Sequence, residues 1–133
     1  MRLCLLVIVI LLPSFAHASI QISEVAWMGG PDSANHEWIE LHNTGTIVSV
    51  DDWILHDANN LTIEINGTLT SGQRAVLERT SDASAPGLAF LLYTGALGNT
   101  GATLVLRDSA GAVVDQVNGG NDWENIGGNN ETK

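Results

Sequence analysis

Residues 103–117 lay out two strands and the turn that joins them. Over residues 103–108 the chain alternates, with Leu104 and Leu106 on one face and Thr103, Val105 and Arg107 on the other. That period of two belongs to a strand with one buried side. Ser109-Ala110-Gly111 supplies the turn, and residues 112–117 return rich in valine. A hairpin of this kind needs a second apolar layer over its buried face, so the rest of the chain has to provide one.

It does so in short pieces of the same type. Residues 37–43 place Ile39 and Leu41 inward and Trp38, Glu40 and His42 on the opposite face. Residues 48–50 form a brief strand, and residues 53–57 put Trp53 and Leu55 on one side. Leu61, Ile63 and Ile65 alternate with Thr62 and Glu64 before the Asn66-Gly67 turn signal. Residues 74–80 and 89–94 add two more strands around a polar loop at 81–87. The first strand, 20–27, changes phase: Ile20 and Ile22 share one face, Val25 and Trp27 the other. That shift predicts a bulge or burial on both sides. Turn signals punctuate the chain and no helical period is sustained, which predicts an all-β sandwich. Trp27, Trp38, Trp53 and Phe90 are the aromatic candidates for its core.

The beginning of the chain reads differently. Arg2, an unbroken apolar run over residues 3–12 and Ala16-His17-Ala18 together make a signal peptide, residues 1–18, cut before Ser19. The apolar run is about half of what a membrane helix needs, so no stable membrane insertion is expected after cleavage. The expected location is secreted or extracytoplasmic. Cleavage leaves 115 residues, one domain's worth, and removes Cys4, the only cysteine. An exported domain of this size without a disulfide must be held by burial alone. Residues 118–133, rich in Gly and Asn with Trp123 and Ile126 as their apolar anchors, read as a flexible tail.

Charge removes one class of partner. Five basic residues stand against fifteen acidic ones, a net of −10. Nucleic-acid phosphates repel such a surface, because binding them requires clustered Lys and Arg. Acidity of this degree keeps an exported domain soluble.

The order EWIELHN at 37–43, DDWIL at 51–55 and GATLVLRDSAGAVVDQV at 101–117 resembles the lamin-tail domain, as in an exported, bacterial-type member. The resemblance spans residues 20–117 and implies an immunoglobulin-like β-sandwich preceded by the signal peptide. By this resemblance 19–117 is the domain, and Glu37-Trp38-Ile39-Glu40-Leu41, Trp53 and residues 108–115 are structural positions. Asp115 caps or pairs at the edge of the last strand. Lamin-tail domains accompany secreted hydrolases or sit at cell surfaces. The implied function is therefore a non-catalytic binding or scaffold module with a protein or cell-surface partner, either free-standing or a piece of a larger secreted protein. Recognition through end loops or an exposed sheet edge is the expected mechanism.

Enzymatic signatures are missing from the sequence. His36-Glu37-Trp38-Ile39-Glu40 opens like a zinc-protease motif but ends in Glu40, and it lies on a strand rather than the helix that motif requires. Neither a nucleophile elbow nor a phosphate-binding loop occurs. The expectation is a non-enzyme without a resident cofactor. Two binding hypotheses remain. Asp51, Asp52, Asp57 and Asn59 offer oxygen ligands around one strand, a candidate Ca²⁺ site, with Asp32 and Asn35 in the first long loop. Trp38, with Glu40 and His42 beside it, is a candidate platform for a sugar or peptide. Together they make the alternative reading, a Ca²⁺-dependent carbohydrate or cell-wall binder whose partner is a polysaccharide. Asn60, Asn66 and Asn130 begin glycosylation sequons, a pattern frequent by chance in a chain of this composition.

Overall fold

A computed structural model describes residues 19–59 and 61–128. The expected signal peptide, residues 1–18, lies outside these residues, as do Asn60 and residues 129–133, Asn130 among them. The strands are β1 (Ile20–Ala26), β2 (Trp38–Asn43), β3 (Val48–Ser49), β4 (Trp53–His56), β5 (Thr62–Ile65), β6 (Thr68–Leu69), β7 (Arg74–Arg79), β8 (Ala89–Tyr93), β9 (Thr103–Arg107) and β10 (Val113–Asn118). The first sheet has the order β1-β2-β7-β8 and the second β10-β9-β4-β5, with β3 and β6 forming a two-stranded ribbon. This is the all-β, immunoglobulin-like sandwich the alternation predicts.

Inward residues of both sheets share one core. Ile22, Ile39, Leu41 and Leu77 come from the first sheet, and Trp53, Leu55, Ile63, Leu104 and Leu106 from the second. Trp27 and Trp53 are buried, whereas Phe90 only packs against the core's margin and Trp38 stays half-buried on the outer face. The phase change in β1 is a bulge: the β1–β2 register slips between Ile22 and Glu24. Ser23 absorbs the extra residue, which lets Ile22 and Val25 both turn inward.

One pairing has no antecedent in the sequence pattern. β8 runs parallel to β7 after a connection of only nine residues, shorter than such crossovers usually are. Thr80 begins the crossover at φ 69°, a strained value for a β-branched residue. Glu78, on the outer face opposite Trp38, then holds the loop through the backbone N–H groups of Ser84 (3.0 Å) and Ala85 (3.3 Å). The loop covers Glu78, and its side chain is fully buried.

The segment after β10 corrects a second expectation. Residues 119–128 do not trail away as a flexible tail but pack against the sandwich. A 3-10 turn, Asn121–Trp123, drives Trp123 into the core at 0 % exposure. Its indole stacks on Trp27, ring centroids 6.0 Å apart and planes at 13°. Trp123 Nε1 donates to Gly98 O (2.6 Å), and Trp27 Nε1 donates to Gly127 O (2.9 Å). The ring lies so close to Gly119 that a Cβ there would come within 2.4 Å of it.

Candidate interaction surface

The outer strands of the two four-stranded sheets divide into two unlike sides. β1 and β10 lie on one side of the sandwich, β5 and β8 on the other.

The β1/β10 side is closed. Asp115 reaches across from β10 and accepts the backbone N–H of Ile22 on β1 (2.7 Å). Both strands are bulged, β1 at Ser23 and β10 between Val113 and Asp115. Ser23 Oγ is held by the Glu40 carboxylate (2.7 Å). A groove here is bordered by Ser23, Glu24, Met28, Val117, Ile126 and Gly127, so the turned-back C-terminal segment forms part of its wall. Bulges, an inward carboxylate and a covering segment are the devices that stop an edge from recruiting a strand.

The β5/β8 side has no inward carboxylate and no covering segment, and its one bulge, at Phe90, lies toward the start of β8. The groove between the two edges is lined by Thr62, Ile63, Glu64, Leu91, Leu92 and Tyr93. Leu92 is 48 % exposed and Leu88, just before β8, 67 % exposed. β8 has no charged residue, and Glu64 is the one charge on β5. Tyr93 O accepts the N–H of Thr80 (2.8 Å), so the Tyr93 peptide faces β7. Its neighbour Leu92 therefore turns N–H and C=O outward, because successive residues of a strand alternate.

One end of the groove is fixed by a buried polar cluster. Glu37 Oε1 pairs with Arg79 Nη1 (3.1 Å), and Glu37 Oε2 accepts the N–H of Leu97 (2.9 Å). Tyr93 packs beside them with its hydroxyl lacking a hydrogen-bond partner among the described residues. Burial, then the charge of Glu37, push the phenol well above its ordinary range, with Arg79 opposing them.

The carboxylates proposed from sequence as a Ca²⁺ site do not converge. Asp51 and Asp52 precede β4, while Asp57 and Asn59 follow it. At about 3.3 Å per residue, that strand keeps the two groups more than about 10 Å apart. Asp51 ties neighbouring turns together instead: it accepts from Ser49 Oγ and from the N–H of Gly67, each at 2.7 Å. Those bonds, the serine's first, hold its carboxyl below the ordinary carboxylate range. Asp57 Oδ1 accepts the N–H groups of Asn59 (2.9 Å) and Leu61 (2.8 Å), which shapes the β4–β5 turn. Among the described residues no group of three or more His, Cys, Asp or Glu side chains is placed to hold a metal.

Trp38, Glu40 and His42 do share one face, as alternation requires. That face is already engaged. Glu40 is ion-paired with Arg74 and hydrogen-bonded to Ser23, its side chain 12 % exposed. Trp38 lies between Ala26 and Glu78 at half burial, and His42 between Gln21 and Arg74. Sequence reasoning missed Leu92 and Glu64 as candidates, because strand order, which puts them on one groove, cannot be read from alternation.

A family model for the Lamin Tail Domain matches residues 13–120. The chain belongs to the lamin tail domain family. Members carry an immunoglobulin-like domain that is usually a non-catalytic interaction module. No curated protein matches the chain in sequence. In this lamin tail domain, Trp123 lies beyond the matched residues yet completes the core.

Proposed function

We propose that this lamin tail domain is an exported, non-catalytic binding module that captures an extended segment of a protein or cell-surface partner on its β5/β8 side. The observation that carries this reading is the contrast between edges. One side is closed by Asp115 and the Trp123 segment, while the other, beyond a bulge at Phe90, leaves the outward peptide group of Leu92 beside exposed leucines. Adding a strand to such an edge gives affinity through main-chain bonds and selectivity through side-chain pockets. Export rests on the leader-like residues 1–18, and the net charge of −10 argues against nucleic acid as the partner. No observation favours the carbohydrate reading, since its carboxylates are apart and Glu40 is paired.

Crosslinking of the protein in its native exported fraction, with the linked residues located by mass spectrometry, tests the reading. Partner crosslinks confined to residues 61–65 and 88–94 support it. Partner crosslinks confined to the β1/β10 side overturn it.

A further inference from the structure

Resting on that open-side reading, we infer that β8 accepts an extended cationic peptide as a fifth strand of the first sheet, with a lysine or arginine of the peptide meeting Glu64.

Three observations converge on this chemistry. The outward peptide group of Leu92 supplies the first pair of main-chain bonds for an added strand. Side chains of that strand would alternate between the exposed outer face beside Leu92 and the groove bordered by Ile63, Leu91 and Tyr93. The positions beside Leu92 therefore want an apolar residue, and the alternate positions, turned to the groove, meet Glu64. The third observation is charge. Each arginine among the described residues is already engaged: Arg74 with Glu40, Arg79 with Glu37, and Arg107 with His56 Nε2 (3.2 Å) and Gly111 O (2.9 Å). Glu64 lines the groove, exposed, with no ion-pair partner among the described residues. A second copy of this chain would bring another −10 to the same edge, whereas a cationic segment is drawn to it.

The test uses the exported, processed protein and alternating Lys-Val and Glu-Val decapeptides, with binding read by calorimetry. Two further Lys-Val probes carry N-methyl groups on alternate residues, one probe for each phase. The Lys-Val peptide should bind and the Glu-Val peptide should not. N-methylation in one phase should weaken binding about tenfold, the loss of one or two main-chain bonds, and in the other phase leave it unchanged. Leu92→Pro removes an outward N–H without touching the β7 ladder and should weaken binding by a similar factor. Leu92→Lys keeps that N–H and repels the probe, so it should also weaken binding. Glu64→Gln should cost severalfold for Lys-Val.

Equal binding of both N-methylated probes would reduce the interaction to charge attraction and overturn strand addition. Equal binding of Glu-Val and Lys-Val, or no effect of Glu64→Gln, would overturn the cationic class while leaving the open-side reading to the crosslinks. Binding of neither peptide overturns the inference in the same way. A dimer that Leu92→Pro converts to monomer would make the occupant a second copy.

Discussion

Asp115 Oδ2 accepts the backbone N–H of Ile22 at 2.7 Å, a bond from the last strand of one sheet to the first strand of the other. The two edges thus neutralise each other: an inward carboxylate meets a peptide donor that would otherwise await a strand. Asp115→Ala leaves that donor unmatched and should cost about 2 kcal/mol, the range for a hydrogen bond to a charged acceptor. Urea unfolding should show a lower midpoint with an unchanged slope. An unaltered midpoint would mean that water replaces the carboxylate without penalty.

Trp123→Ala should be among the most damaging single changes. It removes a fully buried indole, its stack on Trp27 and its bond to Gly98. Large aromatic truncations in a core cost about 3–5 kcal/mol. Truncation after Gly120, where the family match ends, should be at least as severe in a thermal melt. A truncated domain as stable as the full chain would show that the stack contributes nothing.

Tyr93→Phe tests the buried hydroxyl. That group has no hydrogen-bond partner among the described residues, so its removal should stabilise the protein at neutral pH by about 1 kcal/mol. The pH dependence follows from the raised phenol. In the unfolded chain the hydroxyl ionises near its ordinary 10.0, while in the folded domain it stays protonated. The neutral phenol's contribution is complete below that pH and falls away as pH rises above it. Wild type should lose stability steeply above about pH 10, and Tyr93→Phe should lack that part of the decline. Tyr93 is the only tyrosine, so tyrosinate absorbance reports it alone and should rise together with unfolding.

Asn43 supplies a fourth test. It is fully buried, and its Nδ2 donates to the carbonyls of Thr46 (2.7 Å), Leu69 (3.1 Å) and Thr70 (3.0 Å) while Oδ1 accepts from Gly45 (3.0 Å). Asn43→Asp turns the donor into an acceptor facing three carbonyls and should cost about 3 kcal/mol or more. Asn43→Ala, which leaves those carbonyls without a donor but adds no charge, should cost less. The order of the two melting temperatures decides whether donation is what holds this junction.

Much of the architecture follows from residue alternation. Strand positions, the bulge in β1 and the inward sets Ile39/Leu41 and Leu104/Leu106 are local consequences of period two and turn chemistry. Contacts between distant parts of the chain are not local. Asn43 reads as one more turn residue until β6 and β7 bring it carbonyls. Trp123 sits among glycines and asparagines, a composition that signals looseness, yet the indole finds Trp27 nearly a hundred residues earlier. The parallel course of β8 depends on Glu78 gripping a loop, which no periodicity encodes. The Ca²⁺ reading fails for a related reason: residues flanking one strand are neighbours in sequence but are held apart by the strand's own length.

The Trp27–Trp123 stack also works as a clasp between β1 and the segment that follows β10. Each indole covers the other, so neither segment can loosen without uncovering its counterpart's ring. The two should therefore open together rather than fray one at a time.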